Sequence, residues 1–202
     1  MKRIAVAAAL AALPLALPLA AQAGHAHAHP AEEHSPELHA QLEEVRRATE
    51  RYRDHAAAVR DGYRRFGQEA PLAGEHWYRP DLVGIPFDLR RPSTLMYATV
   101  GGRRELVGVA YTVYRVDGEP LPEGFSGGAD TWHVHDVRRL ALALSEDRPF
   151  LRWLVERRMD RGKLGHEGRP LLTMVHAWVW SDNPDGVFAH HNRALPYLRA
   201  GL

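Results

Sequence analysis

Ser93-Thr94-Leu95-Met96-Tyr97-Ala98-Thr99-Val100-Gly101-Gly102-Arg103-Arg104-Glu105-Leu106-Val107-Gly108-Val109-Ala110-Tyr111-Thr112-Val113-Tyr114-Arg115-Val116 is the stretch that decides the fold class. Two apolar runs, Ser93 to Val100 and Arg104 to Val116, flank a Gly-Gly pair that supplies the positive φ a tight hairpin turn requires. Side chains alternate along a strand, so Leu106, Gly108, Ala110, Thr112 and Tyr114 face one way. Val107, Val109, Tyr111 and Val113 face the other. Neither face is polar, which predicts a central strand covered on both sides. Gly108 and Ala110 are small enough to admit a helix or a ligand close to the sheet.

Downstream, a Gly- and Pro-rich loop at 117–129 leads into Asp130-Thr131-Trp132-His133-Val134-His135-Asp136. If this segment is a strand, His133 and His135 share one face. Leu171 to Trp180 is the most apolar strand; Met174, His176, Trp178 and Trp180 lie on one face and Thr173, Val175, Ala177 and Val179 on the other. Between these two, Pro149 opens a shorter helix expected to run to Arg161, with Phe150, Leu151, Leu154, Val155 and Met159 inward. Asn183-Pro184-Asp185-Gly186 is a turn leading to His190 and His191, which are adjacent, so only one of them is expected at any shared site.

Upstream, Pro71, Gly74, Pro80, Gly84 and Pro86 predict an irregular stretch carrying Glu75-His76-Trp77-Tyr78. His133, His135 and His176, with His76 as a fourth ligand and Glu75 as ligand or general base, form the candidate metal site. The competing reading makes His76 a buried histidine bonded to backbone, with Trp77 and Tyr78 as packing. Before this stretch, Ser35 is an N-cap with Pro36 at the first helical position and Glu37 in the first turn. Leu38, Leu42, Val45, Thr49, Tyr52, Ala56, Val59, Tyr63 and Phe66 recur at steps of four and three up to Gly67. One helix of roughly 45 Å would carry them. The stripe is either the seam of a coiled-coil homodimer or the face of a helix lying across its own sheet. His39 and His55 fall beside it and are expected to be solvated.

The first residues read as an export signal. Lys2 and Arg3 precede an apolar run from Ile4 to Leu19, and Ala21-Gln22-Ala23 fits the cleavage pattern. Pro14, Pro18 and the short run argue against a membrane span, so residues 1–23 are expected to be cleaved and the protein exported, periplasmic or secreted. Residues 24–35 form a leader in which His alternates with Ala, able to chelate an ion without fixed geometry. Residues 36–202 are read as a single α+β domain. In it a long N-terminal helix and a shorter one pack on a mainly antiparallel sheet of about four or five strands.

Composition narrows the chemistry. With 26 basic and 25 acidic residues there is no electrostatic case for nucleic-acid binding. Zero cysteines exclude disulfides, thiolate metal ligands and thiol catalysis. The glycine pairs match neither a P-loop nor a dinucleotide fingerprint, and no serine sits in a nucleophile elbow. Histidine is the outlier, at 13 residues.

Several motifs also occur in this order elsewhere: Ala48 to Asp54, Asp61-Gly62-Tyr63, Glu75-His76-Trp77-Tyr78, Arg91-Pro92 before Leu95-Met96-Tyr97, Leu106-Val107-Gly108-Val109, Val175-His176-Ala177-Trp178 and Asn183 to Ala189. On them the chain resembles a broad family of uncharacterised exported bacterial proteins that has no established activity. The resemblance implies that His76 and His176 belong to a shared pattern and that Trp132 to His135 marks a narrower subset. Three functions follow from the residues. The first is binding of a divalent transition metal (zinc, copper or nickel) for storage, sensing or structure. The second is a non-metal structural or small-ligand-binding domain with an aromatic and histidine core. The third is a metal-dependent hydrolase or oxidase with Glu75 or Asp136 as proton acceptor.

Overall fold

A computed structural model describes residues 35–116, 118–128, 130–135, 145, 149–160 and 170–201. The expected signal, the His-rich leader up to residue 34 and Asp136 lie outside the described residues. Along the chain run helices α1 (Pro36–Thr49) and α2 (His55–Arg60) and strands β1 (Arg64–Ala70), β2 (Gly74–Tyr78), β3 (Thr94–Val100), β4 (Arg103–Val116) and β5 (His133–His135). Helix α3 (Pro149–Asp160), strand β6 (Pro170–Ala177) and helix α4 (Leu195–Ala200) follow. The fold is α+β, with every named strand pairing antiparallel in one sheet of order β1-β2-β3-β4-β6-β5.

The hairpin forms as its sequence requires. Gly101 and Gly102 take φ of 53° and 80° and join β3 to β4, which lies inside the sheet with residues 106–113 buried. The sheet has six strands, more than the four or five expected. One of the additions is β1, whose residues are mostly exposed and therefore lack the alternation that marks a half-buried strand. The other correction concerns Glu75 to Tyr78, read as irregular loop, which is β2. The breakers around it belong to the turns at its ends. Gly74 is one of them: its φ is 70°, and a Cβ there would lie 2.4 Å from the Tyr97 carbonyl oxygen, so only glycine lets β2 approach β3 at this point.

The N-terminal helix begins where expected, with the Ser35 hydroxyl accepting from the Leu38 amide at 3.2 Å. It does not run on to Phe66. After α1 the chain tightens into a 3-10 turn over Glu50–Arg53, and Asp54 leaves the helical region at φ −78°, ψ 101°. Its carboxylate accepts from the Ala56 amide at 3.0 Å and caps a second short helix. An Asp that satisfies a free N–H competes with helix continuation, and here the competition wins. The break resets the buried face: Ala57 and Ala58 go inward, while Val59, expected in the stripe, is 49% exposed.

Leu38, Leu42, Val45, Tyr52 and Tyr63 are buried in the core with Leu95, Tyr97, Leu106, Val109, Tyr111, Val175 and Ala177 of the sheet. Most of the stripe is thus used within the chain, as the face of helices lying on their own sheet. Three core tyrosines are pinned through their hydroxyls: Tyr97 donates to the Tyr52 carbonyl (2.6 Å), Tyr63 to Pro92 (2.8 Å) and Tyr111 to Leu89 (2.8 Å). Each bond satisfies a hydroxyl that burial would otherwise strand at a cost of about 1–3 kcal/mol.

The opposite face of the sheet is divided. At one end Met96, Ala98, Val107, Trp178 and Leu195 form a second apolar cluster under α4. Gly108 serves this packing: a Cβ there would meet the Met96 methyl at 2.7 Å and the Ala177 carbonyl at 2.9 Å. The close approach is made by the chain's own groups, not by a helix or ligand. The other end of this face is open and carries the candidate site. On α3, Phe150 was expected inward but is 75% exposed, and its ring lies 5.9 Å from that of Trp153. Among the described residues no helix is long and apolar enough to cross a membrane.

Candidate histidine site

Cross-strand partners share a face, so register alone assembles the site. Tyr78 pairs with Thr94, Thr94 with Ala110, and Ala110 with His176. His76 lies two residues from Tyr78 and therefore on the same side. Met174, two residues before His176, pairs with His133, and Leu172 pairs with His135. All four predicted histidines consequently project from one face of the sheet. On a flat sheet β2 and β6 would stand about 14 Å apart, three strand spacings. The His76 and His176 rings are 5.5 Å apart, because the sheet curls.

A fifth imidazole arrives from outside the sheet. The Asn183–Gly186 turn reverses the chain, with the Asn183 side chain accepting from the Asp185 amide and donating to the His191 carbonyl. The returning segment is fastened to β6 and its extension. Trp178 Nε1 donates to the Ala189 carbonyl at 2.7 Å, and the buried Asn192 side chain donates to the Asp182 carbonyl. His190 is thereby held with its ring stacked 3.9 Å from His133 and 5.4 Å from His176. Of the adjacent pair, His190 joins the cluster and His191 stacks behind it at 4.3 Å. The remaining separations are 4.9 Å for His133 to His176 and 5.0 Å for His133 to His135.

The protonation chemistry follows from burial and crowding. His176 Nδ1 lies 2.8 Å from the His190 carbonyl oxygen. A carbonyl only accepts, so Nδ1 carries the hydrogen and Nε2 is left as a bare lone pair. That Nε2 is buried with no partner among the described residues, as is Nε2 of His135. His133 faces the Thr131 backbone with one ring nitrogen at most, which leaves at least one of its nitrogens unpartnered as well. Burial pushes His76 down to about 4, aided by His135 and His190 and opposed by a hydrogen bond to the Gly74 backbone. Burial, then His190 and His135, push His133 down to about 3. His176 is held well below its ordinary value by burial and by its neighbours His76 and His133. Burial also lowers His135 and His190. At neutral pH the cluster is a set of uncharged imidazoles, the form that binds a metal ion.

Glu75 is not brought to this site. As the neighbour of His76 in β2 it faces the helices, where it pairs with Arg65 (3.3 Å) and Arg104 (3.1 Å) and accepts from Trp77 Nε1 (3.1 Å). Burial raises its carboxyl, but the bonds from Trp77 and Arg104 and the charges of Arg104 and Arg65 outweigh that and hold it below its ordinary value. As a proton acceptor for a metal-bound water it is on the wrong side of the sheet. His55, expected to be solvated, is half-buried and packs edge-on against Trp77 (4.2 Å) and Tyr97 (5.0 Å), because the break at Asp54 turns it onto the sheet.

His76, His135, His176, His190 and His191 form one wall of a cavity of about 650 Å³. Both edge strands contribute to it, Phe66 and Gln68 from β1 and His135 from β5, which is how far the sheet curls. Its other walls are mainly apolar, including Tyr78, Val83, Leu172 and Met174, with the Thr94 and Thr112 side chains among them. Among the described residues no carboxylate lines it, and Asp136, next to His135, lies outside them. The rings pack against one another, and among the described residues no group of three or more His, Asp or Glu side chains is already gathered around a single point for an ion. Comparisons with protein-family models, with curated proteins and with solved structures return no match, so the site is read from its geometry alone.

Proposed function

We propose that this chain is an exported protein that binds a divalent transition metal through His133, His135, His176 and His76, with His190 as a further donor. The observation that carries the reading is that His133, His135 and His176 each bury at least one ring nitrogen with no hydrogen-bond partner among the described residues. Leaving such an atom unsatisfied costs about 1–3 kcal/mol. A bound ion would remove that penalty at several atoms together. The Nδ1–H of His176 bonded to a backbone carbonyl is also the arrangement that orients a metal-binding imidazole and fixes its tautomer. An all-nitrogen donor set without thiolate suits zinc, copper(II) or nickel. Small rotations of the stacked rings would be needed to converge on one ion.

With Glu75 turned to the opposite side of the sheet and paired with Arg65 and Arg104, holding an ion for storage, sensing or stabilisation is better supported than hydrolysis or oxidation. The N-terminal signal pattern and the motif resemblance support the exported setting. Mass spectrometry of metal content tests the reading, comparing the untagged chain with a His133→Ala/His176→Ala variant. Leader histidines contribute equally to both proteins, so the difference reports the cluster. About one ion per chain lost in the variant supports the proposal. Equal content in the two refutes it.

A further inference from the structure

The cavity has a second chemical character that metal binding alone leaves unused. Its volume of about 650 Å³ falls within the range of small-molecule sites, about 300–1,000 Å³. Its apolar lining includes Phe66, Val83, Leu172 and Met174, and nothing about an ion requires an apolar chamber of that size. The polar end is just as specific. His176 is 2% exposed and lines the chamber, and its Nδ1–H is committed to the His190 carbonyl. What it has left is an acceptor, Nε2, buried with no partner among the described residues, which a ligand reaches by a small shift of the His133 and His190 rings packed around it. His135 adds a second buried Nε2 without a partner on the same wall.

We propose that the chamber receives a small, mainly apolar molecule ending in a hydroxyl group, a simple phenol or alcohol, whose O–H donates to Nε2 of His176. The apolar body lies against Leu172, Met174, Phe66 and Val83. The hydroxyl is required because the site offers an acceptor: a ligand that ends in an ether or carbonyl would set lone pair against lone pair, and a pure hydrocarbon would leave Nε2 stranded. The proposal stands for the metal-free protein and does not depend on the metal reading.

The test uses the full chain after chelator treatment and three matched probes: 4-propylphenol, 4-propylanisole and propylbenzene. Titration calorimetry or ligand-observed NMR reads their dissociation constants. The phenol is expected to bind below about 1 mM, and to bind at least about tenfold more tightly than either analogue, the value of one hydrogen bond to a buried acceptor. In His176→Phe, which keeps the ring and removes the acceptor, the preference for the phenol should fall to within about twofold. If that variant does not fold, the three-probe comparison on the unaltered protein decides alone. Equal affinity for the three probes, or no phenol binding at 1 mM, overturns the proposal, whatever the metal content proves to be.

Discussion

Acidification from pH 7 to pH 5 should destabilise the metal-free protein steeply, and the histidine cluster makes the size of the effect calculable. An ordinary histidine titrates near 6.5, whereas His76 is held at about 4 and His133 at about 3. Unfolding exposes both rings, so below pH 6.5 the unfolded chain takes up protons that the folded chain refuses. For a group whose folded value is depressed in this way, stability is complete above about pH 6.5 and is lost as pH falls toward the folded value. Each such group costs about 1.4 kcal/mol per pH unit in that window. At pH 5, about 1.5 units below the unfolded value, His76 and His133 together cost about 4 kcal/mol. His176, shifted in the same direction, adds to this. Against a typical domain stability of about 5–15 kcal/mol, that is a large fraction. Urea unfolding of chelator-treated protein between pH 7 and pH 5 measures it. Exposed histidines protonate in both states and cancel, and most carboxylates titrate below the window. A His76→Gln variant, which keeps a donor for the Gly74 backbone but cannot titrate, should lose about 1.4 kcal/mol per pH unit of the slope. A urea midpoint unchanged between pH 7 and pH 5 would refute the reasoning, as would an unaltered slope in the variant.

Three further outcomes are expected. Zinc uptake by the cluster should release little more than leader-derived protons at pH 7, because the imidazoles are already neutral. Calorimetry in buffers of different ionisation enthalpy checks this, comparing the chain with the His133→Ala/His176→Ala variant, and a proton count that falls by one or more in the variant would contradict it. Asp54→Ala removes the cap of α2 and should lower stability by about 1 kcal/mol in thermal or urea unfolding, with the cavity probes still bound. Gly74→Ala places a methyl group against the Tyr97 carbonyl at a positive φ and should cost at least about 2 kcal/mol. A fully stable Gly74→Ala protein would mean that β2 does not approach β3 as described.

The local features of this protein could be read without its structure, and the long-range ones could not. Gly101-Gly102 between two apolar runs dictates a hairpin, because only residues tolerant of positive φ close so tight a turn. Ser35-Pro36 dictates a helix start for equally local reasons. The two-residue period put His133 and His135 on one face, and His176 with Met174, before any strand order was known. Beyond that, tertiary structure decided. Asp54 could cap a new helix or ride within a long one, and the heptad stripe favoured continuation. Packing of Ala57 and Ala58 on the sheet, with the aspartate cap, settled the break. β1 was invisible because an edge strand with mostly exposed residues has no hydrophobic period. Glu75 and His76 looked like partners as neighbours in sequence, yet adjacency in a strand is what sends them to opposite faces. The cluster itself spans β2, β5, β6 and the segment carrying His190. Its existence depends on strand order and sheet curl, which arise from contacts between residues far apart in the chain, and no local pattern encodes a distance of 5.5 Å between His76 and His176.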